Sequence, residues 1–226
     1  QRQMCIRDSN VIAQFNPKNS KQIMISAHWD TRPWAENSST IMRKNQPIIG
    51  ANDGASGVAV ILELAKIMKK NPPPIGVSLV LFDAEDYGTS ADSWSYAKGS
   101  QFFAQNIPIN YPMYAINLDM IADREPEFYI ERYSYQQNPT LVLELWELAE
   151  SLNLKTFKKQ AKYTIFDDHV PLYQMAGIPA IDIIDFDFPN EKTNYHHTHQ
   201  DIVQNCSPKG LGEVGTLMLN HIYNIK

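Results

Sequence analysis

Four short apolar runs, Gln22–Ala27, Gly76–Phe82, Met113–Leu118 and Pro179–Ile184, alternate with longer segments in which apolar residues recur at helical spacing. A strand buried on both faces reads as a continuous apolar run, and crossover helices must separate parallel strands, so this alternation predicts an α/β sheet. Ser56–Lys70 is the first expected helix, with Val58, Ile61, Leu62, Ala65 and Met68 on one face and Asn71-Pro72-Pro73-Pro74 forcing a stop. Leu141, Leu145, Leu148, Ala149 and Leu152 mark a second helix; Leu211, Val214, Met218, Ile222 and Ile225 mark a C-terminal one. Phe128–Tyr133 is expected to add a strand on an antiparallel edge. Two long segments without period, Trp29–Gly50 and Asp185–Cys206, and the shorter Thr89–Tyr96, are of the kind that carries function in a small domain.

Donor side chains follow the strand candidates directly. His28-Trp29-Asp30 comes after the first, Asp83-Ala84-Glu85-Asp86 after the second, Asp119 ends the third, and His196-His197-Thr198-His199 lies in the loop after the fourth. Open α/β sheets bind ligands outside the carboxyl ends of their strands, so these groups are expected to converge there. Asp53, in Gly50-Ala51-Asn52-Asp53-Gly54-Ala55-Ser56-Gly57, joins them at the start of the first helix. Taken singly, Asp53 fits a helix cap and the histidines fit a solvated loop. Taken together, oxygen and imidazole donors from several strand ends describe a His/Asp/Glu site of zinc type. Strand alternation would turn Glu85 and Asp86 in opposite directions, leaving one to bind metal and the other to act as acid or base.

Composition narrows the alternatives. The 226 residues, 43% of them hydrophobic, suit one globular domain, and a net charge of −5 with scattered lysines leaves no footprint for nucleic acid. No apolar run approaches the roughly 20 residues needed to span a bilayer. The two cysteines, Cys5 and Cys206, can form neither a disulfide framework nor a cysteine zinc cluster. Gln1–Ser9 has no strand or helix period and is read as a non-native scar at residues 1–9, ahead of a catalytic domain over 10–226 whose native N-terminus is truncated.

In order and spacing, His28-Trp29-Asp30, the Asp53 segment, Phe82-Asp83-Ala84-Glu85-Asp86, Asn117-Leu118-Asp119 and His197 with Asp201 resemble the co-catalytic zinc aminopeptidase superfamily. Asp167-Asp168-His169-Val170-Pro171-Leu172, Ala176-Gly177-Ile178-Pro179 and Phe188-Pro189 are similar to animal glutaminyl cyclases, and the wording around His28 and Asp83 looks like their Bacteroidetes-type relatives. The resemblance covers nearly everything after Asn10. It implies a single-domain, three-layer sandwich with a mostly parallel mixed sheet flanked by helices. It further implies one catalytic zinc on Asp53, Asp86 and His197, with a second ion left open, and Glu85 as acid/base beside Asp119 and Asp167. His28 matches a second-metal position of the aminopeptidases. Trp94, Ile165 and Phe188 are the expected substrate pocket. Asp86 stands where the usual ligand is glutamate, and Tyr195-His196 stands where animal cyclases place tryptophan before the ligand histidine.

The activity so implied is that of an acyltransferase, cyclising N-terminal glutamine of peptides or proteins to pyroglutamate with release of ammonia. A monomer in the periplasm or cell envelope is the matching expectation. A dinuclear aminopeptidase is the nearest rival, since His28 and Asp119 can complete a second site. A catalytically inactive binding ectodomain is the rival of another class, disfavoured because no ligand position is lost.

Overall fold

The computed structural model describes residues 9–225; of the proposed scar at residues 1–9, all but Ser9, Cys5 included, lies outside the described residues. In chain order the elements are β1 (Val11–Phe15), β2 (Gln22–His28), α1 (Ala55–Lys70), β3 (Gly76–Phe82), α2 (Lys98–Gln105), β4 (Ala115–Asp119), β5 (Phe128–Ile130), α3 (Arg132–Gln137), α4 (Pro139–Ser151), β6 (Phe157–Ala161), α5 (His169–Ala176), β7 (Ala180–Ile184), β8 (Pro189–Asn190), β9 (Thr193–Asn194) and α6 (Pro208–Asn224). The main sheet has the order β1-β3-β2-β4-β7, with β1 antiparallel and the rest parallel.

All four apolar runs are strands of this sheet. Every residue of β2 is buried, because helices cover both faces. Ile23 and Ile25 point into a core shared with Val60, Leu64, Trp146 and Leu217, while Met24 points the other way with Phe82, Phe103 and Leu172. Helices α1, α4 and α6 therefore form one outer layer and α2 with α5 the other. Gly57 lets α1 lie close on the sheet: a Cβ there would sit 2.2 Å from the carbonyl oxygen of Leu118.

The antiparallel edge is not where the sequence places it. Phe128–Ile130 pairs in parallel with β6 in a separate two-stranded sheet, and the chain is helical from Arg132. The edge is β1, whose mostly exposed residues have one neighbouring strand and so need little apolar pattern. Helices α2 and α5 also escape the period analysis. Each has only 8 residues, and α5 carries Pro171 in its first turn, where the missing N–H costs no helical bond.

Winding reverses at β2. Its crossover leads to β3 on one side, and the next crossover returns to β4 on the other. A crevice therefore opens at the carboxyl ends of β2 and β4, which end in His28 and Asp119.

Candidate active site

That crevice holds a cavity of about 320 Å³ lined by Asp53, Glu85, Asp86, Asp119, Asp167, His196 and His197. Its apolar wall includes Ile165, Phe166, Ile184 and Phe186, and Ser93, Tyr96 and Thr164 complete the lining. Non-glycine residues with positive φ sit at the strand ends that supply the donors: Ala84 (φ 53) before Glu85, Met120 (φ 49) after Asp119, and His197 itself (φ 56). Such strained backbone redirects the chain sharply and persists where surroundings over-determine it. It also corrects the alternation argument. Strand β3 ends at Phe82, and after the turn at Ala84 both Glu85 and Asp86 line the cavity.

Asp53 precedes Gly54, the N-cap of α1, whose φ of 89 only glycine adopts readily. The amides of Asn52 and Asp53 donate to the Asp201 carboxylate at 2.8 and 3.2 Å, and those of Glu85 and Asp86 donate to Asp30 at 3.0 and 3.1 Å. Two carboxylates, Asp201 fully buried and Asp30 half-buried, thus pin the loops that present the donors.

His197 Nε2 lies 3.0 Å from Asp86 Oδ1 and 3.7 Å from Asp53 Oδ2. Its Nδ1 is 3.0 Å from Glu36 Oε1. Glu36 in turn accepts from Arg32 Nε at 2.9 Å and Nη2 at 2.6 Å. The buried Arg32 also donates Nη1 to the carbonyls of Asp86 and Gly88 at 2.5 and 2.8 Å. Burial lowers the His197 pKa, but Asp86 and Glu36 outweigh it and raise it to about 10. Burial raises Asp86, yet the same His197 contact holds it well below the carboxylate range.

The chemistry of this donor set fits zinc. Asp53 Oδ2 and Asp86 Oδ2 are buried without a hydrogen-bond partner, and both carboxylates stand beside the His197 imidazole. His28 is held by acids, with Nε2 3.1 Å from Asp119 Oδ1 and 3.2 Å from Asp53 Oδ1 and Nδ1 3.5 Å from Asp30. Donor atoms of His28, Asp53 and Asp119 lie close enough to share an ion, as do those of Asp53, His196 and His197. Burial and the charges of Asp86 and Asp167 push Glu85 well above the carboxylate range. Burial and the Asp119 charge push Asp167 up to about 6.

The pocket residues expected from sequence divide. Ile165 lines the cavity. Phe188 and Trp94 are not among the lining residues: Phe188 is fully buried against Met120 and Ile184, and Trp94 stands on the edge of Phe166 at 5.0 Å. The wall where animal cyclases have tryptophan is instead His196, stacked on His197 at 3.6 Å and tilted against Phe186 at 5.0 Å. Burial lowers His196 to about 3, so it is a neutral ring. Tyr195 turns away to meet Phe188 at 5.5 Å. Sequence reasoning gave no role to Phe166, Phe186 or Glu36. The only local signal for Glu36 was an Arg32–Glu36 charge pair inside a loop rich in tryptophan and proline.

Comparison with known proteins agrees with this geometry. The chain is 36% identical to the glutaminyl cyclase of Tannerella forsythia, whose crystal structure superposes with a TM-score of 0.92 over 97% of this chain and 79% of that one. It is 26% identical to aminopeptidase YwaD of Bacillus subtilis (strain 168), over 95% of this chain and 44% of that protein. It is 23% identical to the glutaminyl-peptide cyclotransferase of Boiga irregularis, over 93% of this chain and 63% of the relative. The chain therefore spans about half the length of the curated relatives it matches. The profile of peptidase family M28 matches residues 10–222, and the chain belongs to that family.

Proposed function

We propose that this protein is a zinc-dependent glutaminyl-peptide cyclotransferase. The observation that carries the reading is a single small cavity with an acid end at Glu85, Asp119 and Asp167, a zinc-fitting end at Asp53, Asp86 and His197, and an apolar wall at Ile165, Phe166 and Phe186. Such a cavity takes one side chain, and the 36% identity to a Bacteroidetes-type cyclase supports glutamine as that side chain.

One zinc ion on Asp53, Asp86 and His197 would supply Lewis-acid polarisation of the γ-carbonyl. Glu85 takes a proton from the α-amine as its nitrogen bonds to Cδ, the carbon of the side-chain amide, and returns a proton to the amide nitrogen, which leaves as ammonia when its bond to Cδ breaks. Asp119 and Asp167, which line the same cavity, would share its proton inventory. The apolar wall curls the glutamine side chain toward its own amine, which converts proximity into rate. Peptides or proteins beginning with glutamine are the substrates, and residues beyond the first are read weakly. A monomer in the cell envelope is the setting this reading favours.

A dinuclear aminopeptidase is the second reading, favoured by the shared reach of His28, Asp53 and Asp119 and by the aminopeptidase of Bacillus subtilis. Incubating the zinc-loaded protein with a Gln-peptide and a Leu-peptide separates the two. Ammonia from the first without free amino acid from the second is expected. Free leucine, with two equivalents of zinc, would establish the peptidase.

A further inference from the structure

Glu131 follows β5, caps α3 and is completely buried, yet it does not line the cavity. Its Oε1 accepts from the amides of Tyr133 and Ile165, both at 3.0 Å. Its Oε2 accepts from the Ser134 amide at 2.6 Å and hydroxyl at 2.8 Å, and lies 3.2 Å from His169 Nε2. Capping α3 explains Tyr133 and Ser134 only. Ile165 and His169 belong to a distant part of the chain and bracket Phe166, Asp167 and Asp168. Thr164, Ile165, Phe166 and Asp167 form a continuous stretch of the cavity wall.

The same stretch is zipped to β5 upstream, where Lys162 N–H donates to Ile130 O at 3.1 Å and Arg132 N–H donates to Tyr163 O at 2.9 Å. Downstream, Asn117 Nδ2 donates to Asp167 Oδ2 at 2.7 Å. Burial raises the Glu131 pKa, but His169 and the amides bring it down to about 2. A buried carboxylate is costly unless its oxygens are saturated, and these are.

We propose that Glu131 is a positioning residue whose carboxylate holds the Thr164–Asp167 wall between β5 and α5, setting the place of Ile165 and Phe166 and the reach of Asp167 into the cavity. The inference rests on the cavity being catalytic, whichever of the two reactions it performs.

The test pairs kinetics with amide exchange. Glu131→Gln keeps the shape but has one acceptor oxygen, so its NH2 must face either the Ile165 and Tyr133 amides or the Ser134 amide. With whichever substrate the wild type turns over, the folded, zinc-loaded variant should lose about 10²-fold in kcat/KM, with KM raised, as expected for misplacement of a reacting site by about 1 Å. The Ile165 amide should exchange as slowly as those of β7 in the wild type and faster in the variant. Wild-type kcat and KM in folded Glu131→Gln, or an Ile165 amide that exchanges freely in the wild type, would overturn the proposal. Should that variant not fold, His169→Leu, which leaves the carboxylate its other donors, carries the kinetic test and should raise KM by a smaller factor; an unchanged KM there counts against the clamp. A wild type inert toward both peptides would refute the functional reading and leave the clamp to be decided by amide exchange.

Discussion

Glu36 Oε1 lies 3.0 Å from His197 Nδ1 although 161 residues separate them. The contact leaves Nε2 of the imidazole turned toward Asp53 and Asp86, and Arg32 ties Glu36 to the backbone that carries Asp86. Partners of this kind orient a ligating histidine and raise its basicity. Glu36→Ala should weaken zinc binding by about 10–100-fold, read by competition with a chromophoric chelator. Unchanged affinity would reduce the Arg32–Glu36 pair to loop packing.

Replacing Glu85 by glutamine preserves shape and removes the shuttled proton. Turnover should fall by about 10²–10⁴-fold while zinc content stays at the wild-type value. Stoichiometric loss of zinc from Glu85→Gln would exchange the roles assigned to Glu85 and Asp86.

Cyclisation requires an unprotonated α-amine, and such amines titrate near ~7.7–8.0. Activity should therefore rise with pH through neutrality, and the rising limb should move to lower pH for a Gln-peptide analogue with a less basic amine. A limb that stays in place across such substrates points to control by the enzyme and favours hydrolysis.

Gly57 lies inside α1, where alanine is intrinsically better by about 1 kcal/mol. A Cβ there meets the Leu118 carbonyl at 2.2 Å, a backbone atom that cannot rotate away. The clash should win, so that Gly57→Ala loses about 1–3 kcal/mol in urea unfolding. A stabilised variant would mean that α1 can lift off the sheet at no cost.

His221 is buried on α6 with Nε2 2.7 Å from Tyr114 Oη, and burial lowers its pKa to about 4. The unfolded chain binds a proton at this residue below about 6.5 while the folded protein does not. Its contribution is thus fully present above that pH and is lost as pH falls toward 4. The stability gap between the wild type and His221→Gln should narrow by up to about 3 kcal/mol from pH 7 to pH 4 in urea titrations. A gap independent of pH would show that His221 is protonated in the folded state.

Strands β2, β3, β4 and β7, helices α1, α4 and α6, and the clustering of donors after strand ends are all legible in the residue pattern. Burial on two faces writes itself as an unbroken apolar run, burial on one face of a helix as a 3.6-residue period, and a residue that follows a strand inherits the strand's end as its place. The edge strand β1, whose exposed residues carry no such pattern, and the short helices α2 and α5 emerge from the three-dimensional fold. It alone turned Glu85 and Asp86 into one cavity, through the backbone turn at Ala84, and put His196 and Phe186 where Trp94 and Phe188 were expected. Glu36 on His197 and Glu131 on Ile165 are likewise its work. Hydrogen bonds between distant segments satisfy buried polar groups one by one, and such pairings leave no period along the chain.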